Sequence, residues 1–223
     1  MRDKLFVKRL IMSLVGVCIC GVAVGFFNTA VFGVDPFQCF AQGLHNQFQF
    51  IPVFASYGTF YTAVNLVLLV IDLFLDRHYI GLATFLNMFF VGYLVTFSQW
   101  CIYQVVPEPG FATRVVLLII GIFLCCLASA LYYTADLGVS TYDTIPLFIT
   151  DRKPKIAGKV IPFRFIRIVS DLICVIIGYA CGAVVGIGTV ITAFFMGPLI
   201  EVLKKAIAIP LLYGKQTADS AAS

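Results

Sequence analysis

Arg167 and Asp171 stand four residues apart inside the apolar run 165–183. On a helix that spacing puts both on one face, where a guanidinium and a carboxylate can pair. Ionisable groups are costly within a bilayer and are functional candidates by default. Asp171 is therefore the candidate proton-coupling group, with Arg167 as its partner. The competing reading is an ion pair at the interface, with Arg167 stretching back to water. Asp72, at the end of another apolar run, reads as interfacial. A second set could line a solute site: Asn28, Thr29, Asp35, Gln38, Asn65, Asn87, Tyr133, Thr134 and Asp143. The bland alternative for these is interhelical hydrogen bonding, worth only about 0.6–2 kcal/mol per bond. Enzyme chemistry is not indicated, for there is no nucleophile motif, no phosphate-binding glycine loop and no HExxH. No metal-ligand spacing occurs, no cofactor is expected, and His45 and His78 are solitary.

The elements that must hold these groups are membrane helices. The chain has 223 residues, of which 61% are hydrophobic and 12% charged, too few charges to coat a soluble domain. Apolar runs near 10–33, 55–75, 79–98, 115–136, 165–183 and 186–203 each approach the roughly 20 residues that span a bilayer core. None shows the alternation of an outer-membrane barrel. The run from Leu10 to Val34 is longer than a signal-peptide core and is read as a retained first span. Six spans from a cytoplasmic start leave residues 1–9, 76–78, 151–167 and 204–223 inside, and every Lys and Arg except Arg114 falls there. The positive-inside rule thus accounts for the net charge of +4 without nucleic acid, and for the basic stretch from Arg152 to Lys159. Six of eight cysteines lie within spans as small apolar residues, while Cys39 and Cys101 both map outside and could pair.

Shifting the chain by 105 positions brings its halves into register without a gap. Arg9 falls on Arg114, Gly16 on Gly121, Cys20 on Cys125, and Gly33-Val34 on Gly138-Val139. Gly81 meets Gly186, Thr84 meets Thr189, and Phe89-Phe90 meets Phe194-Phe195. With three spans per copy, the second copy enters from the opposite side. The expected fold is all-α: a polytopic membrane protein of six spans, arranged as two inverted three-helix repeats at 9–97 and 114–202. A cytoplasmic N-terminus (1–8), an extracytoplasmic linker (98–113) and a cytoplasmic tail (203–223) complete it. Inverted repeats build many secondary transporters.

Each repeat is interrupted after its first span. Gly33 and Gly138 stop a helix, Asp35 and Ser140 can cap the next one, and Pro36 suits its first position. Asp143, three residues past Ser140, can complete a capping box. Phe37, Phe40, Ala41 and Leu44 then follow at helical spacing. The spacing predicts a short interfacial or re-entrant helix in each copy, whose N-terminus offers free N–H groups either to a solute or simply to the membrane surface.

Arg114, the Gly121 helix, the segment 135–143 and Gly186-Ile187-Gly188-Thr189 resemble the YczE/YyaS/YitT family of bacterial integral membrane proteins. Members carry an LGxxPWD segment followed two helices later by GxGT. Here Thr141 and Tyr142 replace its proline and tryptophan, and Asp143 is kept. In the first half Pro36 is kept and Gln38 stands in the place of the acid. The resemblance implies residence in the bacterial plasma membrane and supplies no reaction or substrate. The leading expectation is a secondary transporter of a small solute or ion, working by alternating access. The alternatives are the substrate-binding membrane subunit of a vitamin-type importer, or a non-transporting membrane regulator. Expected partners are the lipid bilayer and an unknown small solute; homodimerisation is open.

Overall fold

The computed structural model describes residues 2–54, 57–156 and 159–214. The end of the basic loop at 157–158 and the tail from 215 onward lie outside the described residues. The architecture is all-helical. The one extended pairing among the described residues is a two-residue antiparallel ladder joining Lys155–Ile156 to Lys159–Val160.

Eight principal helices follow in order: α1 (Arg2–Ala30), α2 (Pro36–Phe48), α3 (Tyr57–Leu75), α4 (Leu82–Val105), α5 (Phe111–Ala135), α6 (Thr141–Asp151), α7 (Phe163–Ala180) and α8 (Ile187–Leu203). A π-turn at Lys204–Ala208 leads into a short α9 (Ile209–Tyr213). Three stretches are long and apolar enough to cross a membrane unaided: Leu5–Ala30, Phe111–Ala135 and Ile187–Tyr213. A fourth is α4, bent by 43° between Val91 and Tyr93. The shorter α3 is apolar from Thr59 to Leu75, and α7 carries Arg164, Arg167 and Asp171 in its first half. The outer surface is what such helices need in lipid. Phe74 is 88% exposed and Val105 81%, and Phe85, Phe89, Phe90, Ile176 and Phe195 also face outward. A surface of that kind is stable only against hydrocarbon.

The centre of the molecule is the pair α1 and α5. Gly16 lies against Ala128 and Gly121 against Ala23, so the two helices run antiparallel, with glycine on each side allowing close approach. Both helices stop the same way. Val31 and Asp136 adopt left-handed backbone (φ 58° and 56°), and Gly33 and Gly138 repeat it two residues later (φ 113° and 102°). The left-handed residue directly after each helix is thus valine or aspartate, not the glycine expected from sequence. The glycines are required by crowding as well. A Cβ on Gly33 would collide with Thr189 and Gly186, and one on Gly138 with Gly81 and Thr84. Gly188 N donates to Phe32 O at 2.8 Å, and Ala83 N donates to Leu137 O at 3.0 Å.

The interruptions become two half-length helices. Asp35 caps α2 by accepting from Gln38 N (3.0 Å), with Pro36 at its first position; Ser140 caps α6 by accepting from Asp143 N (3.3 Å). At 1.5 Å per residue, 13 and 11 residues give about 20 and 16 Å, roughly half a 30 Å core. Their first turns meet: the rings of Phe37 and Tyr142 stack at 5.0 Å with 12° between planes. From there α2 packs along α7 through Gly43 against Gly178, and α6 packs on α3 and α7. Cys39 and Cys101, which the sequence left free to pair, are separate free thiols. Cys39 is buried where α2 crosses Gly178, whereas Cys101 lines a separate apolar cleft with Val22 and Phe26.

Candidate functional site

A cavity of about 490 Å³ opens where the first turns of α2 and α6 meet, and all eight principal helices contribute to its wall. From the first four come Cys20, Val24 and Asn28 of α1, Asp35 with Phe37 and Gln38 of α2, Tyr61, Thr62 and Asn65 of α3, and Thr84, Asn87, Met88, Val91 and Val95 of α4. From the rest come Cys125, Ser129 and Tyr132 of α5, Ser140 through Asp143 of α6, Arg167 of α7 and Met196 of α8. Its size and its mix of apolar wall with a few converging polar groups are those of a small-molecule site.

One wall is a buried ion network. Arg167 is 5% exposed and Asp171 fully enclosed. Arg167 Nε donates to Asp171 Oδ2 at 3.2 Å, and its Nη1 donates to Asp143 Oδ1 and, at 3.3 Å, to Tyr133 Oη. Tyr132 Oη donates to Asp143 Oδ2 at 2.6 Å and lies 3.1 Å from Ser129 Oγ. Tyr142 Oη donates to Asp171 Oδ1, and the guanidinium lies 4.7 Å from the centre of the Tyr142 ring. A buried charge is tolerated only when paired and hydrogen-bonded on every side, and this network meets that condition. Two expectations are corrected here. Arg167 does not stretch to water, because Asp143 pulls it inward; and the Asp143 carboxylate is taken by Arg167 and Tyr132 instead of completing a capping box.

Among the residues expected to bind a solute, Asn28, Asp35, Gln38, Asn65, Asn87 and Asp143 line the cavity. Asn65 is braced within it, donating to Tyr61 O (2.9 Å) and accepting from Thr141 (2.8 Å). Asn87 donates to Ala83 O (3.1 Å), and no donor among the described residues meets its carbonyl oxygen. Thr29, Tyr133 and Thr134 do not line it. Thr29 and Thr134 spend their hydroxyls on the carbonyls of Gly25 and Ala130 four residues back, and Tyr133 serves Arg167. Of the expected coupling pair, Arg167 reaches the wall and Asp171 sits behind it.

Reading the chain missed Ser129, Tyr132 and Tyr142. The signal was present: a serine and a tyrosine three apart in an otherwise apolar helix share a face and must find partners. Asp72, read from sequence as interfacial, is completely covered by neighbouring residues. Among the described residues neither of its carboxylate oxygens has a partner at ordinary hydrogen-bond geometry, and the Thr144 hydroxyl of α6 is its polar neighbour, with Asp143 beyond.

A separate group of polar contacts, away from the cavity lining, gathers around Asp136. His78 and Arg9 both reach Asp136 (3.0 and 3.7 Å), Arg9 also donates to Tyr213 Oη (3.1 Å), and the buried Tyr79 donates to Asp151. Burial, with the Asp151 carboxylate, pushes the Tyr79 phenol well above its ordinary range.

Residues 7–205 match the model of a family described as a family of unknown function, DUF6198. The chain belongs to that family. It is also similar to an uncharacterized protein of Haemophilus influenzae, 25% identical over 201 residues, which cover 90% of this chain and 85% of the relative. No solved structure matches.

Proposed function

We propose that this DUF6198 protein is a small secondary transporter of the bacterial plasma membrane, with both termini cytoplasmic. It is built from six spans as two inverted repeats, related to the YczE/YyaS/YitT proteins. A small solute would bind in the central cavity and be exposed alternately to each side as the repeats rock.

The observation that carries this is the meeting of two short helices at one cavity whose apolar wall carries a few polar groups. Discontinuous helices whose N-termini converge on a site near the midplane are the recurrent device of inverted-repeat transporters. Exchange symmetry supports the repeat. Phe32 and Leu137, Ala83 and Gly188, and Phe37 and Tyr142 are each 105 positions apart. The bond from Gly188 N to Phe32 O has its counterpart in Ala83 N to Leu137 O, and Phe37 stacks on its own equivalent, Tyr142. Gly16 against Ala128 and Ala23 against Gly121 obey the same relation. Such reciprocity is what a two-fold axis lying in the membrane plane produces. In this reading Arg167 and Asp171 are the coupling pair: movement of a proton or solute at Asp143 changes what Arg167 must neutralise.

The test is access. In a cysteine-free background, Asn87→Cys in oriented vesicles is treated with an impermeant maleimide from either side. Alternating access predicts labelling from both sides; labelling from neither side would remove the proposal.

A further inference from the structure

We infer that the cavity takes a solute bearing a single positive charge, an organic ammonium, with Asp35 as its counter-ion. This rests on reading the cavity as a solute site and adds the charge that the solute must carry.

Arg167 is the one cation on the wall among the described residues, and it is already committed. Asp143 and Asp171 hold it from two sides, Tyr133 accepts from it, and the Tyr142 ring covers its face. An anion arriving in the cavity would meet a guanidinium whose charge is spent. Asp35 is different. One of its oxygens accepts from Gln38 N to cap α2, and no described cation forms an ion pair with it. Around the cavity, then, three carboxylates face one guanidinium. The two helix N-termini contribute about half a positive charge each, which offsets one carboxylate and leaves roughly one negative charge in a low-dielectric site. A proton or a cationic solute must balance it.

The remaining polar groups favour a solute over a proton alone. Among the described residues no partner meets the side chains of Asn28 and Gln38, and none donates to the Asn87 oxygen, so acceptors for ammonium N–H groups face the same space as Asp35. Phe37, Tyr61 and the methionines Met88 and Met196 supply an apolar wall for a carbon skeleton. With Asn87 and Gln38 beside Asp35, the cavity offers an ammonium group charge and hydrogen bonds together, whereas a carboxylate would find amide donors but no uncommitted cation.

A matched series tests the sign of the charge: phenethylamine, phenethyl alcohol and phenylacetate, similar in size and differing in charge. Each is titrated into the full-length protein in nanodiscs, with binding read from the shift in unfolding temperature and by calorimetry. The amine should bind at least tenfold more tightly than either relative, and Asp35→Asn should erase that preference while leaving the alcohol unchanged. Asparagine caps a helix as well as aspartate, so the variant loses the charge and keeps α2. Asp35→Ser, another capping residue, should behave identically. Equal binding of all three probes, tighter binding of the alcohol or the acid, or no binding at all overturns the inference; the first result would mean that a proton balances Asp35. The transport reading is judged separately by labelling at Asn87→Cys, which does not depend on these probes.

Discussion

Arg167 holds two carboxylates, Asp171 on its own helix and Asp143 on α6, so its removal would strand both in the protein interior. Arg167→Met should cost about 3–5 kcal/mol, because breaking a buried pair leaves uncompensated charge. The combined variant Arg167→Met, Asp143→Asn, Asp171→Asn should regain much of that loss. Denaturant titration of the two variants in detergent checks the difference. Asp72 carries the opposite expectation. Its buried carboxylate has no well-formed hydrogen bond among the described residues, so Asp72→Leu should raise the unfolding temperature, as scanning fluorimetry would show. A fall would mean that the carboxyl has a partner in the membrane. Tyr79 gives a pH dependence. Its phenol sits above the ordinary value in the fold, so its contribution is complete below the ordinary tyrosine pKa of about 10 and fades as pH rises beyond it. Tyr79→Phe should flatten that part of the alkaline stability profile.

At the level of elements, the caps were legible because capping is local chemistry. Asp35-Pro36 and Ser140 declare a helix start within three residues, and both do so in the structure. The spacing of Arg167 and Asp171 was legible for the same reason. The bond from Arg167 to Asp143 was not, since 24 residues and a loop separate them and only tertiary packing brings α6 against α7. The burial of Asp72 was not legible, because position along a helix does not say which neighbour covers a residue. The stop of α1 shows the same limit. Glycine marked the turn, yet the left-handed backbone directly after the helix falls on Val31, a β-branched residue poorly suited to it. Val31 is exposed, so its side chain contributes little packing. Val31→Asn should therefore stabilise the protein by about 1 kcal/mol through relief of backbone strain. An unchanged denaturation midpoint would count against strain at that turn.

On the scale of the whole molecule, the fold can be understood as two requirements met at once. The outside must dissolve in hydrocarbon, which the exposed phenylalanines and valines accomplish. The inside must satisfy polar groups without bulk water, which the network around Arg167 accomplishes. Between them lies a space that neither requirement explains, faced by Asn28, Gln38 and an Asp35 carboxylate that has no cation partner among the described residues. A chain selected only for a stable bundle would have filled it, because a cavity forfeits packing. The most direct test is therefore flux. Proteoliposomes loaded with a metabolite mixture are incubated with the same mixture in isotopically labelled form, and exchange is followed by mass spectrometry. At least one amine-bearing solute should exchange through the natural protein and stop exchanging in Asn87→Trp, whose indole fills the cavity. If no solute exchanges, or if exchange is indifferent to Asn87→Trp, the cavity is not a transport site and the central claim is wrong.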